Sequence, residues 1–197
     1  AMDKKPYHHI YKDGKLHAFR NLEGGPKRDP NFKWNWKVFR QEKKKLKINY
    51  PPEHIIDKQI VLKNLQRHKS DSFVMWLDHA SFIIKLGDTT IITDPVFEKN
   101  YGPLWFGPKK FVDSPLTLKE LPETDIFLLT HNHYDHMSIR TIKNFPYKNA
   151  KVLVPLKLGK YFTRNGYNKN NVKEMDWFDK IKINDDITIT MLPAQHW

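Results

Sequence analysis

Residues His131, His133, Asp135 and His136 put four side chains able to bind a metal ion into six consecutive positions. They follow directly on the apolar run Ile126-Phe127-Leu128-Leu129. Ordinary surface composition does not produce that density. Side chains of an extended segment alternate with period two, so His131 and His133 share one side. Asp135 falls on the same parity and His136 on the other. One short loop therefore offers two imidazoles to one ion, and a carboxylate with an imidazole to a second. Imidazole with carboxylate suits zinc, and iron or manganese as well, so the motif alone does not choose the ion. The chain has no cysteine, which excludes disulfides and thiolate ligands.

Thr130-His131-x-His133-x-Asp135-His136 after an apolar strand resembles the signature of the metallo-β-lactamase superfamily. Four further segments are similar to its branch that contains N-acyl-phosphatidylethanolamine-hydrolysing phospholipase D. They are Trp76-Leu77-Asp78-His79-Ala80-Ser81-Phe82, Thr93-Asp94-Pro95-Val96-Phe97, Val154-Pro155-Leu156 and Pro193-Ala194-Gln195-His196-Trp197. The resemblance runs over residues 72–197. It implies an α/β (α+β) fold, half of an αβ/βα sandwich, with a mixed sheet covered by helices on one face.

The resemblance also implies roles. His131, His133 and His196 would bind a first metal and leave one position open to water, whose pKa the ion lowers towards about 7. Asp135 and His136 would either bind a second metal or position the water, with Asp135 the better candidate to accept a proton. Asp94 would sit behind the metal and orient its ligands. His79 would come near the cleft and act on substrate or on developing negative charge. Asp78 stands where this branch ordinarily has glycine. The implied activity is a metal-dependent hydrolase, a phosphodiesterase of phospholipase D type using metal-bound hydroxide. One or two Zn2+ are expected, with Mn2+ or Fe2+ as alternatives. Rival readings are a nuclease or lactonase of the same superfamily, or an inactive or structural half-domain that dimerises.

The net charge of +12 is unevenly placed. Residues 1–70 carry 18 Lys/Arg against 7 Asp/Glu, whereas residues 71–197 carry 16 against 15. Residues 1–70 read as a basic extension ending in a connector helix, and 71–197 as the N-terminal half of the catalytic fold. Within the extension, Phe32, Trp34, Trp36 and Phe39 interleave with Lys33, Lys37 and Arg40. They suit a strap packed on the core, or contact with a membrane interface or bases. His8, His9, His17, His54 and His68 are given no function.

Residues 53–69 have loosely helical spacing. Ser72–Leu77, Ser81–Leu86 and Thr89–Thr93 read as an antiparallel meander. The aromatic loop 95–115 contains Trp105 and Phe106, expected to face an apolar part of the substrate. Ser138–Phe145 is expected to be a helix capped by Ser138, and Leu156–Asn165 a helix stopped by Gly166. Lys151–Val154, Val172–Met175, Asp179–Ile183 and Ile187–Leu192 read as strands, the last bringing His196 to the ligand loop. A half sandwich would expose an apolar sheet face, so a homodimer completing the sandwich is expected. Phospholipid or another phosphodiester is the expected substrate, with peripheral membrane contact, and nucleic acid less favoured. No window approaches the length of an apolar membrane span. The expected location is cytoplasmic, with membrane association as the alternative.

Overall fold

The computed structural model describes residues 7–21, 35, 37–38, 41, 51–102 and 107–195. The expected aromatic strap, Trp105, Phe106 and His196 all lie outside the described residues. The chain divides into two units, residues 1–49 with 177–197, and residues 50–176.

In the first unit, Asp13-Gly14 links β1 (His9–Lys12) to β2 (Lys15–Phe19). Both turn residues have positive φ, +49° and +72°. That geometry suits the right-handed twist of a two-residue hairpin, and Asp-Gly adopts it at little cost. The His8 ring stacks on Trp177 at 4.6 Å. The extension thus contains a hairpin that its polar composition conceals.

The second unit begins with α1 (Lys58–Arg67), where the Asp57 carboxylate accepts from the Gln59 N–H at 2.8 Å. Its apolar side places Val61, Leu62 and Leu65 on the core. The helix therefore belongs with the sheet, and the boundary expected at residue 70 moves to about residue 50. The reason is that a helix with one apolar stripe must bury it against its nearest partner. A salt bridge from Lys58 Nζ to Glu120 Oε1 at 2.8 Å fastens α1 to the turn at 117–120. Lys58, with the Thr117 N–H and hydroxyl, lowers the Glu120 carboxyl to about 2. A lowered carboxyl stabilises the fold above its unfolded pKa, and the effect fades as pH falls through the folded value. Glu120→Gln should therefore lower the urea midpoint at pH 6, and the difference should shrink as pH falls towards 2 and vanish below it. The group is exposed, so salt should shrink the difference.

Strands β3 (Phe73–Asp78), β4 (Ser81–Leu86) and β5 (Thr89–Thr93) form the expected meander. Next come β6 (Ile126–Leu128), α2 (Ile139–Asn144), β7 (Lys151–Pro155), α3 (Gly159–Thr163) and β8 (Val172–Met175). The six strands lie in sequence order in one sheet. β3–β4 and β4–β5 are antiparallel, and the remaining three pairings are parallel. β3, β5, β6 and β7 consequently run the same way and end at the same edge of the sheet.

One face of the sheet carries Leu77, Ile83, Ile92, Phe127, Val152 and Val154, which pack with Val61, Ile142, Phe145 and Phe162 of the helical side. Phe127 meets Phe145 and Phe162 edge-on, at 5.1 and 5.0 Å between ring centroids. On the other face Ile91, Ile126 and Leu153 are buried, while Val74 and Trp76 are 66% and 47% exposed. Among the described residues of that face, the exposed large apolar side chains are Val74 and Trp76 on β3 and Leu86 at the end of β4.

Ser138 caps α2 as expected, its Oγ accepting from the Thr141 N–H at 3.0 Å. α3 is shorter than expected. Lys157 adopts a left-handed conformation (φ +73°), so the helix starts only at Gly159. In the first unit, β9 (Lys180–Lys182) and β10 (Thr188–Thr190) pair, among the described residues, only with each other, as an antiparallel hairpin. They do not extend the large sheet. The Asn184 side chain accepts from the N–H groups of Asp186 and Ile187 and turns that hairpin.

Candidate metal centre

Open sheets with parallel strands bind ligands beyond the carboxyl ends of the strands, where loops diverge. Here that edge receives Asp78-His79 from β3, Asp94 from β5 and Thr130 to His136 from β6. The β3 end is bulged opposite Ser81. His79 (φ +36°) and Asp94 (φ +39°) are both in the left-handed region. Non-glycine residues there carry strain that packing must maintain, and such residues gather at functional sites.

Asp94 is 1% exposed. Its carboxylate accepts from the Thr130 N–H at 2.7 Å and the Thr130 hydroxyl at 2.6 Å. It also accepts from His136 Nδ1 at 2.8 Å. The Thr130 hydroxyl, having given its proton to Asp94, accepts from His131 Nδ1 at 2.9 Å. One carboxylate thus sets the tautomer of two imidazoles, with Nε2 as the basic nitrogen of each. Carboxylates commonly hold metal-binding histidines in this way.

The ligand loop is not extended throughout. The His133 carbonyl accepts from the N–H groups of His136 and Met137, at 3.0 and 2.7 Å. That turn ends the alternation after His133 and winds His136 back. The His136 ring stands 4.0 Å from the His131 ring, and the His133 ring 4.8 Å from it. His79 Nε2 lies 2.9 Å from Asp135 Oδ2, and His136 Nε2 lies 3.7 Å from the same oxygen. Burial pushes the Asp135 carboxyl up. Its own backbone N–H, with His136 and His79, outweighs that and holds it below the usual carboxylate range.

At this edge of the sheet, two groupings among the described residues have donor atoms within 4.8 Å of one another, His79 with Asp135 and His136, and Asp94 with His131 and His136. In the second, Asp94 is already engaged by Thr130 and His136, so it orients ligands. Oriented imidazoles beside a carboxylate form a donor set that fits a divalent metal. The structure brings together His79, Asp94, His131, His133, Asp135 and His136, as the sequence predicts. Residues 97–100, Lys110 and Leu116–Lys119 line a groove of about 860 Å³. None of those six residues lines it.

Asp78, Lys110, Tyr101 and Thr130 are the neighbours that the sequence reading left without a role. Lys110 Nζ donates to the Asp78 carboxylate and to the Val96 carbonyl, and both side chains of the ion pair are 2% exposed. Burial pushes the Asp78 carboxyl above its ordinary value, against the pull of the Lys110 ammonium. The Tyr101 ring is 5.3 Å from the His79 ring. Its hydroxyl is raised by burial and by the nearby carboxylates of Asp78 and Asp135.

A family model described as "Beta-lactamase superfamily domain" matches residues 89–197, more than half of the chain. The chain belongs to the beta-lactamase superfamily. N-acyl-phosphatidylethanolamine-hydrolyzing phospholipase D 1 of Caenorhabditis elegans is 34% identical over 137 residues, covering 65% of this chain and 38% of that protein. A UPF0173 metal-dependent hydrolase of Caldivirga maquilingensis is 30% identical over 124 residues, covering 63% and 48%. Among solved structures, CmlA, a diiron β-hydroxylase from Streptomyces venezuelae, matches with 26% identity and a TM-score of 0.46, covering 63% of this chain and 24% of that one. The chain thus spans less than half the length of these relatives.

Proposed function

We propose that the chain carries the metal-binding half of a metal-dependent hydrolase whose substrate is a phosphodiester, with phospholipid favoured. The observation that carries this reading is the buried Asp94 carboxylate, which holds His136 directly and His131 through Thr130. The phosphodiester class rests on the phospholipase D relative, and zinc on the imidazole–carboxylate donor set, with manganese or iron as alternatives. His131 and His133 would hold one ion, with His196 proposed as the third nitrogen, and Asp135 and His136 a second. When bound, such an ion supplies water that ionises near neutral pH and a Lewis acid for the phosphoryl oxygen.

The chain's own groups do the rest. Asp135 accepts the proton of the attacking water, and His79 fixes the orientation of that carboxylate through Nε2 at 2.9 Å. A bond forms from water oxygen to phosphorus, the bond to the leaving alkoxide breaks, and the proton returns to that alkoxide. The Asp94 carboxylate keeps His131 and His136 in one tautomer throughout. Two copies pairing through the β3 edge, where Val74 and Trp76 are exposed, are proposed as the assembly. A solution mass equal to one chain at micromolar concentration would refute that pairing.

The substrate class is tested with four compounds on one zinc- or manganese-loaded preparation: N-acyl-phosphatidylethanolamine in mixed micelles, bis(p-nitrophenyl) phosphate, a single-stranded oligonucleotide and a simple lactone. The expected result is turnover of the first two. Turnover of the lactone alone would overturn the phosphodiester reading. Oligonucleotide as the preferred substrate, with strong salt dependence, would replace phospholipid by nucleic acid.

A further inference from the structure

A lysine and an aspartate buried together cost free energy on desolvation, which their attraction seldom repays. The Lys110–Asp78 pair is nevertheless almost wholly buried, and it lies one residue from His79. Lys110 does not serve as a surface cation for substrate, because its ammonium is engaged by Asp78 and the Val96 carbonyl. A reason other than stability is therefore needed for it.

The surroundings supply one. Around Lys110 the loop folds back on itself, with N–H to carbonyl bonds from Lys110 to Lys99 (3.1 Å) and from Tyr101 to Pro108 (2.9 Å). Gly107 makes the fold-back possible, since a Cβ there would lie 1.9 Å from the Tyr101 carbonyl oxygen. The Lys110 ammonium is 5.6 Å from the Tyr101 ring centre. Tyr101 stands against one side of His79 and the His136 ring, at 5.1 Å, against another. The Trp76 indole N–H donates to the His79 carbonyl at 3.0 Å, holding its backbone. The ion pair is the only side-chain salt bridge among the described residues that joins this loop to the β3 end.

We infer that Asp78 and Lys110 are a positioning pair, which pins residues 96–102 and 107–110 to the end of β3 and so holds the His79 imidazole against Asp135. The role of His79 in hydrolysis rests on the function proposed above, whereas the positional claim stands on geometry alone. The buried pair stiffens this wall of the site.

The test compares wild type, Lys110→Gln, and the double variant Asp78→Leu with Lys110→Met, each as the full chain. The double variant removes both charges at similar volume and leaves no orphan ion. Lys110→Gln keeps a donor for Asp78, and it carries the test if the double variant does not fold. The first readout is the side-chain 15N–1H spectrum of His79 in metal-free protein, which reports its Nε2 hydrogen bond to Asp135. The second is kcat and KM on bis(p-nitrophenyl) phosphate after metal loading. The pair's role requires loss of the His79 Nε2 signal in the double variant, a weakened signal in Lys110→Gln, and kcat lowered about tenfold with KM little changed. A folded variant with the wild-type His79 spectrum overturns the inference, whatever the activity. Wild type without turnover but with the His79 signal lost in the variants would instead overturn only the proposed function.

Discussion

Replacing His131 by alanine is expected to empty the first metal position and to cut phosphodiester turnover about a thousandfold, close to 4 kcal/mol of transition-state stabilisation. The size of the effect follows from its place in the cluster. The His131 ring is 4.8 Å from His133 and 4.0 Å from His136, so it joins the two proposed metal positions. Its tautomer is fixed through Thr130 by a buried carboxylate, so the nitrogen offered to metal is set before the ion arrives. His133 and His136 remain but do not form the same tetrahedral set without it. His68→Ala is the control: that histidine pairs with Asp71 at 2.7 Å at an exposed position of the helix end. It should leave metal content and turnover unchanged. Metal per chain by elemental analysis, with steady-state kinetics on the same sample, checks both halves of the expectation.

Replacing Asp94 by alanine should weaken metal binding by about 10 to 100-fold and also destabilise the fold. The first effect is the usual cost of losing a carboxylate that orients a ligating histidine. The second arises because the Thr130 N–H and hydroxyl would lose their acceptor; Thr130 is itself exposed, so water replaces part of it and the cost is near the lower end, about 1 kcal/mol. Asp94→Asn separates these effects. Asparagine tolerates the positive φ and keeps one acceptor oxygen, but its amide presents N–H where Thr130 or His136 also donates. The asparagine variant should therefore recover most of the stability and little of the metal affinity. Urea midpoints read the stability, and competition with a coloured chelator reads the affinity.

The cluster was legible in the sequence because its residues are close along the chain and of unusual type. His131 to His136 need only one turn, and Asp94 follows a strand whose apolar run is plain. The meander, α1, α2 and the Ser138 cap were legible for the same reason, since local periodicity and capping chemistry determine them. The alternation expected of an extended chain stops at His133, where a backbone turn through its carbonyl takes over.

What escaped the sequence is mostly non-local. Lys110 and Asp78 are 32 residues apart, and one lysine in a lysine-rich chain carries no mark of burial. The substitution of Asp78 for glycine was the available signal, and only its buried partner gives it meaning. α3 was overestimated because Lys157 takes a left-handed conformation that its residue type does not advertise. The β1–β2 hairpin was missed although Asp13-Gly14 is a strong turn signal, because the polar composition around it suggested an extension. β9 and β10 have strand-like residues, but periodicity does not say which sheet a strand joins.

His131 and His133 are proposed to hold one metal ion and Asp135 and His136 a second, with Asp94 orienting His131 and His136 to receive them. The most direct test is elemental analysis of the purified chain before and after zinc or manganese loading, with bis(p-nitrophenyl) phosphate turnover on the same samples. The expected result is about one or two ions per chain and turnover that disappears with a chelator and returns with metal. No retained metal after loading, with no turnover at any metal concentration, would contradict it.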